Sequence, residues 1–475
     1  MLPDDVLIEI FDFYADEDMG EDVKSFKKRR IEEWITLAHV CRRWRSVVFQ
    51  SPRRLNLRLL CTPKTPARDI MNIWPPLPLI IQNYYGIFDG EPSSADNVIA
   101  ALEHNYRVCQ IDLGPLPSSE FECITKSAAM QKPFPGLTDL RLNMYDEPEL
   151  ILPDAFLGAG TAPRLRSLRL YRVPFPGLPK LLLSTTHLVK LSLNISRSGY
   201  ISPEVMATSL SALTNLEFLH LWFLYPRPRP ASESRRPPPP PLTRSILPSL
   251  TEIQFKGACE YLEGILTRID APRLDGLHII FFNQIIFDTP QLFQFISRRP
   301  TLRAPEKGRI EFASEAIFVK FPSQTSDHTV LRVKVQCTAS EWQLSSLEQV
   351  CTSSLPPVST LQDLYILERP FRRSHWQDNV ENTLWLDLLH PFVAVKNLYL
   401  SENLVPRIAP ALQELVGGRT TEVLPALENI FLRGFQPSGP LHKGIEKFVA
   451  ARRLASPPVT VSSWDTEWQL ENYDW

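Results

Sequence analysis

The chain has 475 residues and a formal net charge of −2, with 44% hydrophobic and 22% charged residues. That length suits roughly two to four domains, or one long repeat array with something attached. The composition is that of an ordinary globular protein. A charge so near zero gives no general electrostatic pull toward nucleic acid or membrane, so neither is expected as a partner.

There are 44 prolines against 18 glycines. Proline breaks helix interiors, so many short elements are expected rather than long helices. The seven cysteines (Cys41, Cys61, Cys109, Cys123, Cys259, Cys337 and Cys351) are widely spaced, and no C-x-x-C pair occurs. That argues against a disulfide framework or a zinc site and for a reducing compartment. No apolar run reaches the roughly 20 residues of a membrane span. The stretch "LHIIFFNQIIF" from Leu277 is broken by Asn283 and Gln284, and the N-terminus lacks a basic signal-peptide region. An intracellular protein is expected, cytoplasmic or nuclear.

In chain order, "LPDDVLIEIFDFY" (Leu2 to Tyr14) reads as a helix. Pro3 suits the first turn, and Asp4 and Asp5 suit the positive end of the helix dipole. Val6, Leu7, Ile10, Phe11 and Tyr14 fall on one broad apolar face. A charged segment follows, acidic from Asp16 and basic at "KKRR" (Lys27 to Arg30). The basic run reads as an import signal or as a solvated loop. Apolar residues then return in "IEEWITLAHVCRRWRSVVF". Ile31, Trp34, Ile35, Ala38 and Cys41 form one stripe; Leu37, Val40, Trp44, Val47 and Val48 form another. Either two short helices pack on each other or one face awaits a partner. Fifty residues make a small core, at roughly 1.5–3 kcal/mol per buried large side chain.

Leu2, Pro3, Val6, Ile10, Phe11, Leu37, Val40, Cys41 and Trp44 carry a resemblance. Together they look like the F-box motif, L-P-x-[ED]-[IV] … I-F … L … V-C-[RK]-x-W. The likeness covers residues 1–52, with a longer charged connection than is typical. It implies a three-helix unit that binds a Skp-type adaptor through these nine residues and, through that adaptor, a cullin–RING ubiquitin ligase.

From residue 53 to 475 one pattern recurs, apolar-x-x-apolar-x-apolar. Copies begin at Val108, Leu137, Leu165, Leu188, Leu216, Leu250, Leu274, Val330, Leu361, Val395 and Leu427, mostly 23–34 residues apart. The 56-residue gap after Leu274 has room for a degenerate copy near Ile310 and Phe312. The spacing and core resemble leucine-rich repeats, whose period is roughly 20–29 residues. Each copy would be one short strand, unable to bury its own face, stacking on its neighbours in a solenoid. The expected fold is therefore α/β: a small helical F-box followed by a leucine-rich-repeat solenoid.

Residues 226–242, "PRPRPASESRRPPPPPL", read as a proline-rich loop insertion. Residues 440–475 read as a capping helix, a last strand and an acidic, aromatic tail. The residue between the last two apolar positions of each copy should face outward. These are Asp112, Arg141, Arg169, Ser192, His220, Gln254, His278, Lys334, Tyr365, Tyr399 and Phe431. Aromatic residues are frequent interface anchors, so Tyr365, Tyr399 and Phe431 are candidate target contacts, unless another loop or the tail covers them.

There is no Walker loop, G-x-G-x-x-G, H-E-x-x-H or G-x-S-x-G, and no histidine has a metal-ligand neighbour at a diagnostic spacing. No catalytic residue, metal or cofactor is expected. Cys41 sits beside Arg42 and Arg43, yet its place on an apolar stripe favours a packing role. The chain is expected to be either a substrate receptor of an SCF-type ligase with an unidentified protein target, or a repeat scaffold with no part in ubiquitination.

Overall fold

The computed structural model describes residues 2–16, 36–50, 57–62, 67–73, 75–83, 95–144, 150–160, 162–225, 244–283, 286–299, 302, 305–322, 329–337, 339–353, 355–369, 381–416, 419, 421–434, 443–455 and 458–464. The segment "KKRR", the proline-rich insertion 226–242 and residues 465–475 lie outside them. The chain divides into two compact units, residues 1–201 with 208–219, and residues 202–207 with 220–475.

In the first unit the N-terminal residues form helices at Asp4–Asp16, 36–40 and Arg42–Gln50. The strands β1 (Leu59–Cys61), β2 (Leu79–Asn83), β3 (Val108–Leu116), β4 (Asp139–Met144), β5 (Ser167–Tyr171) and β6 (Lys190–Ile195) then lie side by side in chain order. All of their pairings are parallel. Helices at Ala95–Leu102, Ser118–Thr125, Phe156–Gly160 and Leu178–Ser184 lie in the connections. Parallel strands need such crossovers. The first two strands precede the first expected repeat at Val108, and Leu79 of β2 lies in register with Val108.

The motif explains itself in this geometry. Its last two apolar residues lie on the strand, one residue apart, and point inward: Leu140 and Leu142, Leu168 and Leu170, Leu191 and Leu193 are all buried. Its first residue sits before the strand and is equally buried. There its N–H donates to the carbonyl three residues back, Leu137 to Phe134 at 3.2 Å, Leu165 to Ala162 at 3.1 Å and Leu188 to Thr185 at 3.1 Å. One carbonyl then accepts two N–H groups from the next repeat. Thr138 O binds Arg166 N and Ser167 N at 2.7 and 3.1 Å; Arg166 O binds Val189 N and Lys190 N at 2.8 and 2.9 Å.

The division between the units falls within β7 (Phe218–Phe223). In the second unit β8 (Ser245–Ile246) and β10 (Ile269–Asp270) form a small parallel pair. The main strands are β9 (Glu252–Gly257), β11 (Gly276–Phe281), β12 (Lys307–Ala313), β13 (Ala316–Pro322), β14 (Thr329–Gln336), β15 (Asp363–Glu368), β16 (Asn397–Leu400), β17 (Asn429–Arg433) and β18 (Thr460–Trp464). Their order in the sheet is β9-β11-β14-β13-β12-β15-β16-β17-β18. The carbonyl stitch recurs, with Gln362 O binding Lys396 N and Asn397 N at 2.8 and 3.0 Å, and Lys396 O binding Glu428 N and Asn429 N at 2.8 and 2.9 Å.

This order corrects the simple repeat reading. A strand does occupy the long gap, and its Ile310 and Phe312 are fully buried. The strand carrying the Val330 copy, β14, does not follow it in line, however. β12, β13 and β14 form an antiparallel meander that runs backward through the sheet, so that β14 pairs with β11 and β12 pairs with β15. The cause is chain length. Only Ser314 and Glu315 join β12 to β13, and a two-residue link permits a hairpin but no parallel crossover. Register corrects one outward position too: Arg332, not Lys334, lies beside His278, and Lys334 lies beside Ile280.

The helix Lys443–Ala455 buries Ile445 and Phe448, and Thr460–Trp464 pairs with β17 as the last strand of the sheet.

Two substitutions on adjacent residues of β16 test this layout. Leu398 is fully buried, so Leu398→Ala should lower the unfolding free energy by about 2–5 kcal/mol. Asn397 bonds Asp363 at 2.7 Å and Asn429 at 2.8 Å on the outward face, so Asn397→Ala should cost only about 1–2 kcal/mol. Urea denaturation of the two variants measures the difference.

Candidate functional site

The N-terminal helices sort the nine adaptor candidates into two sets. The single broad face expected for the first helix is split, because residues one position apart point about 100° apart around a helix. Leu7 and Phe11 point inward, and Phe11 is fully buried; Val6 and Ile10 point outward. Leu37, Ala38, Val47 and Val48 complete the inner set. The Phe11 ring packs on Trp44 with centroids 4.8 Å apart. Phe11 and Leu37 therefore hold the helices from behind rather than offering contact surface.

Leu2, Val6, Ile10 and Val40 are 51%, 41%, 46% and 56% exposed, with Pro3 and Cys41 also exposed and Trp44 half-buried. Val6 and Ile10, four residues apart, share one stripe of the helix surface, and Leu2 lies just ahead of the helix. Cys41 corrects its expected place on a buried stripe. It sits at the break between two helices, where its Sγ accepts the Trp44 N–H at 3.4 Å. There it serves a backbone donor that a helix start leaves without an intrahelical partner. Arg43 braces the two segments through Asp4 at 2.6 Å and through the Leu2 carbonyl.

In the second unit, in-register pairing brings Tyr365, Tyr399 and Phe431 together on the outward strand face. The rings stack, 4.1 Å apart for the tyrosine pair and 4.6 Å for Tyr399 and Phe431. Trp464 of β18 closes over them edge-on, 5.9 Å from Tyr365 and 5.5 Å from Tyr399. Tyr365 is thereby buried, while Tyr399 and Phe431 keep partial exposure. Burial and the neighbouring Tyr399 hold the Tyr365 phenol above its ordinary value. A second row on the same face, Asp363, Asn397, Asn429 and Thr460, is joined by hydrogen bonds of 2.7, 2.8 and 2.6 Å.

Sequence reasoning missed a third grouping. Glu311 of β12 is 1% exposed, with Arg309 at 2.5 Å, Arg369 at 2.9 Å and Lys320 at 3.1 Å. Burial alone would raise its carboxyl, but the charges of Lys320, Arg309 and Arg369 outweigh that and hold it below the usual range. Burial pushes the Lys320 amine down to about 8, against the pull of Glu311. Beside them the Phe318 ring lies under three cations: Arg369 at 4.0 Å, Lys334 at 5.0 Å and Lys320 at 5.9 Å from its centroid. Such cation–ring contacts favour the charged heads where water is partly excluded. The one signal in the sequence was the charge alternation of "KGRIEF" and "VLRVKV".

Among the described residues no group of three or more metal-ligating side chains gathers, and no helix is long and apolar enough to cross a membrane. Burial pushes the Cys61 thiol up to about 11 and Cys337 to about 12, and raises Cys351 as well, which suits packing rather than nucleophilic roles.

The strands and buried leucines define a leucine-rich-repeat-like array, with a short helical segment at its N-terminus. No family model matches the chain, and no curated protein matches it. Among solved structures it is similar to the leucine-rich repeat-containing protein LegL7 from Legionella pneumophila. The identity is 14%, over 72% of this chain and 96% of that one, with a TM-score of 0.28. A score that low carries no argument, and the repeat character rests on the strand registers and buried motif positions above.

Glu311→Gln should cost about 3–5 kcal/mol in urea denaturation, because it leaves buried cations facing one another. Lys320 gives a pH signature. Between about 8 and its ordinary 10.5 the unfolded chain binds the proton more tightly than the folded one. Stability relative to a Lys320→Met variant should therefore rise across that window, and urea midpoints at pH 7.5 and 10 measure it.

Proposed function

We propose that the chain is a substrate receptor of an SCF-type cullin–RING ubiquitin ligase, with no catalytic chemistry of its own. The observation that carries this reading is the exposed stripe of Val6 and Ile10, with Leu2 just ahead of the helix and Val40 also exposed, set in the segment that resembles an F-box. Large apolar side chains gathered on a surface mark an interaction site, and a Skp-type adaptor is the partner the resemblance implies. The inner residues Leu7, Phe11 and Leu37 give that stripe a fixed backing. The outward strand faces of the repeats then hold a target protein. The mechanism is proximity: tethering raises the target's effective concentration beside the ligase, whose other subunits transfer ubiquitin. This reading sets the protein inside the cell, in cytoplasm or nucleus.

Co-expression with a Skp-type adaptor tests it. The wild-type chain should retain the adaptor through size-exclusion chromatography. Val6→Asp with Ile10→Asp should abolish that retention and leave the thermal midpoint within a degree or two, since both residues are exposed. Phe11→Ala should instead lower stability by roughly 3–5 kcal/mol. A wild-type chain that never retains the adaptor would leave the repeat scaffold without a ligase as the correct reading.

A further inference from the structure

The meander of the second unit concentrates charge on one side. Its outward positions are Lys307, Arg309, Glu311 and Ala313 on β12, Ala316, Phe318 and Lys320 on β13, and Arg332, Lys334 and Gln336 on β14. Among the described residues these positions hold five cations, Lys307, Arg309, Lys320, Arg332 and Lys334, against one carboxylate. Arg369, which follows β15, adds a sixth cation at Glu311 and Phe318. Glu311 sits at the base of the group, 1% exposed, and anchors Arg309, Lys320 and Arg369 from beneath. Arg332 and Lys334 lie further along the face, half-buried.

We propose that this face binds an extended acidic segment of a partner protein, with Arg332 and Lys334 taking carboxylates at alternate positions of that segment and Arg369 adding positive charge beside them.

Three features support this occupant. The first is charge complementarity, since a surface with five cations to one carboxylate attracts and orients acidic partners. The second is spacing. Arg332 and Lys334 are two residues apart on one strand, a repeat of about 7 Å, which is also the distance between alternate side chains of an extended peptide. The third is continuity. Arg309 is in register with Tyr365, so across the strands the cations pass directly into the aromatic ladder. The inference rests on the reading of the repeat surface as a target-binding surface, and it is independent of the adaptor.

The test is fluorescence anisotropy with a fluorescein-labelled decapeptide of alternating glutamate and serine, added to the full chain without adaptor. Binding is expected, weakening as salt rises because exposed charges are screened. A lysine–serine decapeptide should not bind. The double substitution Arg332→Gln with Lys334→Gln should weaken glutamate-peptide binding at least tenfold with the thermal midpoint unchanged. Absence of binding, or binding untouched by the double substitution, would overturn the proposal. So would binding that arises only when residues 465–475 are removed, since "DTEWQLENYDW" carries the same acidic chemistry and would then be the occupant. A single-stranded RNA oligonucleotide that displaces the peptide at lower concentration would reassign the face to nucleic acid. Failure here with adaptor retention intact would leave the receptor reading standing and move its target elsewhere.

Discussion

Everything described above depends on how one repeat is fastened to the next. A single copy of L-x-x-L-x-L buries three side chains on one side of a short strand and has no core of its own. Its first apolar residue is tied down by the bond from its N–H to the carbonyl three residues back, as at Leu137, Leu274 and Leu427. One carbonyl just before the strand then accepts two N–H groups of the following repeat. That double acceptance fixes register, and register decides which side chains meet. A slip of one residue would turn every buried leucine outward. The stacked rings of Tyr365, Tyr399 and Phe431 and the polar row of Asp363, Asn397, Asn429 and Thr460 are consequences of that fastening. Neither row was required by the core; each arises because like positions of successive repeats are held side by side.

This explains what was legible in the sequence. The repeats could be read because in every copy but the one at Val330 all three motif positions are buried, and they are uniformly apolar. The aromatic ladder could be read because it occupies the one strand position between two buried ones. The meander could not. Alternation of apolar and polar residues is the same in parallel and antiparallel strands, so "GRIEFA" and "VLRVKV" look like ordinary copies. Only the brevity of Ser314–Glu315 distinguishes them. In the N-terminal helices Val6 and Leu7 are interchangeable as letters, and packing alone sends one outward and the other inward. The cation group was hidden for a different reason. Arg309, Lys320, Lys334 and Arg369 come from separate elements, and only the reversed strand order brings them together.

The same reversal shapes the electrostatics. Pairing β13 against β12 sets Lys320 directly opposite Arg309 and Phe318 opposite Glu311, while pairing it against β14 sets Arg332 opposite Lys320 and Lys334 opposite Phe318. Like charges opposite one another in a sheet are destabilising. Glu311 answers part of that repulsion on one side, and the Phe318 ring answers part on the other through its negative face.

The group does not owe its place to stability. Burying a whole group of charges is costly even when they pair, and well-packed apolar residues of similar volume are often as stable or more so. The neighbouring repeats of the second unit show that the fold manages without such a group, since β16 and β17 fill the same outward positions with Asn397, Tyr399, Asn429 and Phe431. What the buried carboxylate contributes is position. It fixes Arg309, Lys320 and Arg369 at their bases, so long and otherwise mobile side chains are held toward one side of the sheet. Cations ordered in advance lose less freedom when an anion arrives, and that favours binding rather than folding.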